Sequence, residues 1–326
     1  MAKMALAIHG GAGTILKSAM TPELETEYRG GLEAALKAGW AVLDRGGSAL
    51  DAVESAVCSL EDFPLFNAGR GSVFTHEGKN EMDAAIMDGT SLKAGAVAFV
   101  RNVKNPIKLA RLVMERTEHV LLAGDGAIQF AEEMGVELED NAYFFTQHRW
   151  QQLEDAIAAG RVQLDHAQGS SDAVATQAET RPLGSVPRGQ ETSLGTVGAV
   201  ACDTNGNLAA ATSTGGMTNK KFGRVGDTPI IGSGTYADET CAVSCTGHGE
   251  YFMLGVTAYD IAARMKYKGL PLDAAAEETI AHLTSIGGEG GLIAVDTQGN
   301  VVLPFNSEGM YRGSIADGIS TIDIYK

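Results

Sequence analysis

The chain has 326 residues, 44% of them hydrophobic, which excludes a wholly disordered protein and allows one large core or two ordinary domains. Asp and Glu outnumber Lys and Arg by 41 to 25, for a formal charge of −16. No basic surface is available for nucleic acid or for an anionic membrane, and the 41 glycines against 8 prolines point to tight turns and close backbone approaches.

In chain order, Ala5 to Ile8 reads as a short buried strand ended by His9-Gly-Gly-Ala-Gly13. The apolar stretch at the start is too short for a signal segment, and no later run approaches about 18 apolar residues. From Pro22, the residues Leu24, Tyr28, Leu32, Leu36, Trp40 and Leu43 recur at helical spacing, until Gly46-Gly47 stops the pattern. Ser48 caps a second helix with Asp51 as its capping partner, and Leu50, Val53, Val57 and Leu60 form its buried stripe. Strands are expected at Met82–Met87 and Ala94–Val100, then helices at 106–116, 125–134 and 147–160. Cys58, Cys202, Cys241 and Cys245 form no C-x-x-C pair, as expected of reduced thiols in a cytoplasmic protein.

From Ala167 to Leu194 the texture changes to Ser, Gln, Thr, Gly and Pro with no aromatic residue. Such a stretch buries too little surface to offset its ordering entropy, so 167–194 reads as a flexible linker. A tether between two independent domains is one reading. The next residues weaken it, because Gly195-Thr-Val-Gly-Ala-Val-Ala-Cys202 is at once an apolar strand, with Asn205-Gly206 at the tip of a hairpin and Leu208–Ser213 returning. A second hairpin with the same D-T-x-G-N turn spans 291–305. Two buried hairpins suggest one large antiparallel sheet or two sheets face to face, with helices at about 250–267 and 271–285 outside.

A tether that delivers the chain straight into a core strand makes better sense if the chain is cut there. Breaking the Gly195–Thr196 bond would give Thr196 a free α-amine beside its own hydroxyl. An α-amine titrates near 8, so it is a usable base at neutral pH, which the intact amide is not. It would activate the hydroxyl as a nucleophile, directly or through water. Gly195, lacking a Cβ, leaves its carbonyl open to attack by that same hydroxyl.

Read alone, Gly-Thr-Val-Gly is an ordinary strand, and other motifs carry similar double readings. His9-Gly-Gly-Ala-Gly13 lacks the endings of a phosphate loop or dinucleotide site, and a tight turn beneath an active site suits it better. Thr212-Ser-Thr-Gly-Gly-Met-Thr-Asn-Lys220 would place hydroxyls at the end of a strand. Arg224 and Asp227, three apart, suit a zwitterion or a surface salt bridge. Thr246 and its neighbouring N–H groups ahead of a helix suit an oxyanion hole. The histidines show no zinc spacing.

Together and in this order, these strings resemble the plant-type L-asparaginase and isoaspartyl aminopeptidase family of N-terminal-nucleophile hydrolases. The resemblance runs from His9-Gly-Gly-Ala-Gly through Pro64-Leu-Phe-Asn-Ala-Gly, Met82-Asp-Ala-Ala-Ile-Met-Asp-Gly and Gly195-Thr-Val-Gly to Phe305-Asn-Ser-Glu-Gly-Met-Tyr-Arg312. Only about 136 to 194 lacks a firm counterpart. The resemblance implies an α+β fold, a four-layer αββα sandwich, in which a precursor cuts itself into an α subunit (1–195) and a β subunit (196–326). These stay together as one structural domain, and two such pairs form a heterotetramer. It implies Thr196 as nucleophile, Thr214 supporting it, and Thr246 and Gly247 as the oxyanion hole. Arg224 would hold the substrate α-carboxylate, Asp227 and Gly249 its α-amino group, and Asn67 would lie near the substrate. Leu60, Glu61, Phe63, Phe66, Ala68 and Arg70 would hold a structural sodium ion through main-chain carbonyls, with no other cofactor required. The implied substrates are L-asparagine and β-aspartyl dipeptides. A glycosylasparaginase, a threonine endoprotease and a non-catalytic small-ligand binding protein remain alternatives on the same scaffold.

Overall fold

The structure, a computed structural model, describes residues 3–160, 162 and 195–326; the linker expected at 167–194 lies outside them. The part before residue 162 contains β1 (Ala5–Gly13), α1 (Pro22–Asp44), α2 (Ala49–Glu61), β2 (Met82–Asp88), β3 (Lys93–Val100) and α3 (Pro106–Arg116). β4 (Leu121–Ala123), α4 (Gly124–Glu133), α5 (Asn141–Phe144) and α6 (Gln147–Ala158) complete it. After residue 195 come β5 (Thr196–Cys202), β6 (Leu208–Thr214), β7 (Thr235–Ala237), β8 (Cys241–Gly247), α7 (Gly249–Gly255), α8 (Thr257–Lys268) and α9 (Leu272–Ser285). The chain closes with β9 (Gly290–Asp296), β10 (Val301–Val302), β11 (Gly309–Ala316) and β12 (Ile319–Tyr325).

The helical signals have local causes. Thr21 Oγ1 accepts the Leu24 N–H at 3.2 Å and Pro22 opens α1, a pairing of N-cap and N1 proline that fixes the first turn. Tyr28, Leu32, Leu36 and Leu43 of the stripe are buried, with Gly31, Ala35 and Gly39 between them, while Leu24 and Trp40 are half-buried. Ser48 Oγ accepts the Asp51 N–H at 3.1 Å and donates to the Asp51 carboxylate at 2.7 Å. Leu50 is only half-buried, whereas Val53, Val57 and Leu60 are in the core.

Two expectations change. β1 does not stop at Ile8 but continues through the glycines, with a register break between His9 and Gly11 where Gly10 bulges. A Cβ on Gly10 would lie 2.4 Å from the Phe66 ring, so the bulge also needs glycine for space. The helix expected at about 250–267 is two helices, α7 and α8, broken at Val256, which has φ 47° and ψ 47°. A β-branched residue in that left-handed region is strained, and nothing in the local sequence announces it.

The two hairpins belong to two different sheets. The larger runs β12-β11-β1-β5-β6-β2-β3-β4, and the smaller β10-β9-β8-β7. β5 is therefore hydrogen-bonded to β1 on one side and β6 on the other, so strands from both sides of residue 195 share one sheet. Alternation sorts the side chains: Val197, Ala199 and Ala201 join a core with α1, α2 and α3, while Val200 and Cys202 join Ala242, Ile293 and Val295 of the smaller sheet. A third core packs Val243, Cys245 and Leu292 on Phe252, Ile261 and Leu272 of the C-terminal helices. The chain thus has a mixed α/β fold. Among the described residues, no helix is long and apolar enough to cross a membrane.

Small residues set the layer spacing. A Cβ on Gly95 of β3 would fall 2.0 Å from the Ala110 carbonyl and 2.6 Å from the Met114 nitrogen, both backbone atoms of α3. Backbone cannot swing aside as a side chain can. Gly95→Ala is therefore expected to push α3 off the sheet and to cost about 3 kcal/mol or more, read as a lowered urea midpoint.

Candidate active site

The β5–β6 pairing sets Thr196 opposite Thr214, and the β2–β6 pairing sets Thr214 opposite Asp83. Three strand ends thus bring two threonines and a carboxylate to one edge of the large sheet. Thr196 Oγ1 donates to Thr214 Oγ1 at 3.3 Å, and Thr214 Oγ1 accepts the Gly216 N–H at 3.0 Å. Both threonines are buried, at 8% and 3% exposure. They form one end of a small concavity whose walls include Gly195, Thr196, Thr214, Arg224, Asp227 and Gly247. Gly216, Met217, Gly226 and Thr228 complete the lining, and no separate sequence signal marks Met217 or Thr228.

Opposite the threonines sit an arginine and an aspartate. Gly249 has no room for a side chain, since a Cβ there would be 2.9 Å from both Arg224 Nη2 and Asp227 Oδ1. Arg224, Asp227 and Gly249 therefore converge. Asp227 is buried, its Oδ2 has no hydrogen-bond partner among the described residues, and burial pushes its carboxyl up to about 7 against the lowering pull of Arg224. A buried carboxylate oxygen without a donor is costly unless a ligand supplies one. Arg224 is held by Glu250, its Nε and Nη2 each donating at 2.9 Å to one carboxylate oxygen. Its remaining N–H groups can turn to an anion in the pocket. Sequence reasoning misses Glu250, because a side-chain pair joining a loop to the first turn of α7 leaves no trace in local sequence. His248 lies beside Glu250, with Nε2 3.5 Å from its Oε2.

Thr246 ends β8 fully buried, and its Oγ1 accepts the Ala12 N–H at 3.2 Å, which leaves the hydroxyl hydrogen to donate. Gly247 next to it must be glycine, because a Cβ would lie 2.1 Å from the Phe252 ring. Asn67 stands one step behind the wall. Its Nδ2 donates to the Gly216 carbonyl at 2.8 Å and its Oδ1 accepts the Val73 N–H at 3.0 Å, so the amide ties the turn after Thr214 to the segment at Val73. His9 is fully buried beneath Thr196 and burial lowers its imidazole to about 3.

The loop from Leu60 to Arg70 is closely packed. Cβ positions on Gly69 and Gly71 would fall 2.5 Å from the Glu61 carbonyl oxygen and 2.1 Å from that of Phe66, so both positions need glycine for space. Arg149 of α6, fully buried, clasps this loop by donating to the Leu65 carbonyl at 3.0 Å and the Gly71 carbonyl at 2.8 Å. The Glu61 side chain turns away from the loop, its Oε1 accepting from Ser213 Oγ at 2.7 Å, and burial raises its carboxyl to about 8. Among the described residues no group of three or more His, Cys, Asp or Glu could hold a metal ion. An alkali ion held by main-chain carbonyls would not depend on such a group.

The family model described as asparaginase matches residues 2–323. The chain belongs to the asparaginase family. Within it, the chain is 50% identical to an isoaspartyl peptidase of Salmonella typhimurium over 329 aligned positions, covering 100% of both chains. It is also 50% identical to a putative isoaspartyl peptidase/L-asparaginase of Dictyostelium discoideum, covering 96% of this chain and 93% of that one. A plant-type L-asparaginase of Pyrococcus abyssi is 44% identical, covering 97% and 98%. The family resemblance of the motifs thus extends over the whole chain, including the described residues before 195, none of which lines the pocket.

Proposed function

We propose that this family member is an autoprocessed threonine hydrolase that releases L-aspartate from L-asparagine and from β-aspartyl dipeptides. The observation that carries this reading is the pairing of Arg224 with an unsatisfied Asp227 across a small pocket from Thr196. One charge suits an α-carboxylate and the other an α-ammonium, and the relatives carry the names isoaspartyl peptidase and L-asparaginase.

In maturation, Thr196 Oγ1 attacks the Gly195 carbonyl and the acyl group shifts from nitrogen to oxygen, which frees the α-amine; water then hydrolyses the ester, leaving the Gly195 carboxylate and the Thr196 hydroxyl. In turnover, that amine takes the Thr196 hydroxyl proton and the oxygen attacks the side-chain carbonyl of the bound aspartyl group. Thr214 holds the hydroxyl in place. The developing oxyanion accepts from the Thr246 hydroxyl and the Gly247 N–H, donors each worth about 3–4 kcal/mol in such sites. The amine returns its proton to the leaving ammonia or amino acid, and water then cleaves the β-aspartyl ester of Thr196. Because only the aspartyl end is clamped, both substrate types fit.

The clustered layers support the finer fold reading, a four-layer αββα sandwich in which fragments 1–195 and 196–326 remain one unit. We include in the proposal a pair of such units as the assembly and a cytoplasmic setting, which suits four free cysteines. A sodium ion held by the carbonyls of Leu60, Glu61, Phe63, Phe66, Ala68 and Arg70 would stiffen the loop from which Asn67 reaches the Gly216 turn. The test is intact mass followed by a paired assay on L-asparagine and a β-aspartyl dipeptide. Fragments ending at Gly195 and beginning at Thr196, with aspartate released from either substrate, are expected. A single stable chain that releases none would overturn the proposal.

A further inference from the structure

Cleavage creates a problem at Thr196. A residue that becomes a chain terminus loses its covalent hold on one side, and termini fray. Yet the terminal residue carries both nucleophile and base, and misplacement by about 1 Å can cost about 100-fold in rate. Something must hold its remaining backbone.

The first glycine-rich motif supplies the hold. His9 Nδ1 lies 2.9 Å from the Thr196 carbonyl oxygen, and His9 Nε2 lies 2.9 Å from Ser244 Oγ. A carbonyl only accepts, so Nδ1 bears the hydrogen, and in a neutral ring Nε2 is then the acceptor. Ser244 must donate to it. Ser244 Oγ is 2.7 Å from Thr212 Oγ1, and with its own hydrogen committed it accepts there in preference to the Gly234 carbonyl, 3.4 Å from Thr212 Oγ1; Thr235 Oγ1 donates to Thr212 Oγ1 at 2.7 Å and shares that hydrogen with the Thr228 carbonyl at 3.1 Å. From Thr212 through Ser244 and His9 to Thr196 the hydrogens therefore run one way, with Thr235 at the outer end. Its four supporting side chains are fully buried. The chain joins both sheets, since Thr212 is on β6 and Ser244 on β8. It also accounts for the second glycine of Gly195-Thr-Val-Gly198: a Cβ on Gly198 would lie 2.0 Å from Ser244 Oγ and 2.5 Å from His9 Nε2.

We propose that His9 is a positioning residue for the reaction, holding the carbonyl of the mature Thr196 terminus through a one-way chain of buried hydroxyls that spans the two sheets. The inference rests on the proposed reading of Thr196 as nucleophile. His9 takes no proton from substrate; its tautomer is fixed, and it acts by fixing where the Thr196 hydroxyl and amine point. The spacing of the first motif has the same cause, because the Gly10 bulge begins directly after His9.

The experiment compares mature wild type with His9→Leu, His9→Asn and Ser244→Ala, after intact mass has established the extent of cleavage in each. His9→Leu leaves the Thr196 carbonyl without its donor and is expected to lower kcat about 10- to 100-fold with KM within about threefold. His9→Asn restores a donor at the Nδ1 position, so kcat should recover to within about fivefold of wild type. Rescue by Asn, which cannot refill the imidazole volume, separates positioning from packing. Nitrogen NMR of selectively labelled wild type should show Nδ1–H with a bare Nε2, unchanged across the pH range of activity. Active wild type with unimpaired kcat in His9→Leu, or equal losses in Leu and Asn, would overturn the role of His9 alone. Fully cleaved wild type without aspartate release would instead overturn the reading of the site.

Discussion

Thr196→Ala is expected to remain one uncut chain and to release no aspartate above about one part in 10⁴ of the wild-type rate, the scale on which loss of a nucleophile is felt. The Thr196 hydroxyl is the one that directly adjoins the Gly195 carbonyl, so both events fail together. Thr196→Ser keeps the hydroxyl and the amine and should still cut and turn over, more slowly, because the lost methyl group frees the χ1 rotation that the β-branch restricts. The pair separates chemistry from folding: Ala differs from Thr at a site 8% exposed, and an unchanged urea midpoint in Thr196→Ala would mark the loss as chemical. Mass spectrometry reads the cleavage, and aspartate release reads the turnover. A cut Thr196→Ala chain would exclude the hydroxyl as the agent of maturation.

The second large effect concerns the charges. Arg224→Ala removes the guanidinium that the proposed function sets against the substrate carboxylate and takes from Glu250 its arginine partner, so KM for asparagine should rise about 100-fold or more. Lysine is not a substitute, because it cannot hold Glu250 side-on while presenting further donors. Asp227 adds a pH signature. Its carboxyl titrates near 7 in its buried setting, and only the ionised form accepts an ammonium. As pH falls below 7 a proton competes for that carboxylate, so KM should rise about tenfold per unit and level off above 7. In Asp227→Asn it should be high and flat. Stability moves the other way: a carboxyl whose folded pKa is raised favours the fold at low pH and loses that contribution as pH climbs from the ordinary aspartate value towards 7. Steady-state kinetics from pH 5 to 9 and urea titrations across the same range check the two signs.

Much of this site is legible in the sequence because it rests on local chemistry. Thr21, Pro22, Ser48 and Asp51 mark helix starts by groups that bond within one turn, and the stripe of α1 comes from its period. Thr196 stands out by the contrast between a polar run and an apolar strand. The partners that make it work do not. Glu250 meets Arg224, Arg149 meets Gly71 and Ser244 meets His9 only after sheets and helices have packed, across separations no periodicity encodes. The β11–β12 hairpin does carry a signal, Asp317-Gly318, with φ of 52° and 75°, a pair suited to a tight turn. Its second strand lacks the alternation expected of a half-buried pair, since Ile319, Ser320 and Thr321 are all exposed. Val256 shows the converse: a β-branched, exposed residue takes a left-handed backbone just before the Ala258 and Tyr259 N–H groups donate to the Ser233 and Gly232 carbonyls, partners that local sequence does not name.

The strand order of the large sheet has a consequence for the protein's life history. Reading across it, β12 and β11 come from the later segment, β1 from the earlier, β5 and β6 from the later, and β2, β3 and β4 from the earlier. In the large sheet the two pieces are interleaved like fingers, and neither retains that sheet whole without the other, although the smaller sheet belongs to the later piece alone. In the proposed mature form, cut before Thr196, complete unfolding would become dissociation, and recovery would require two polypeptides to find one another and weave strands in alternation. Assembly would then be a one-time event of the uncut precursor. After it, longevity would be governed by how slowly the pieces come apart, with dilution penalising any molecule that opens fully.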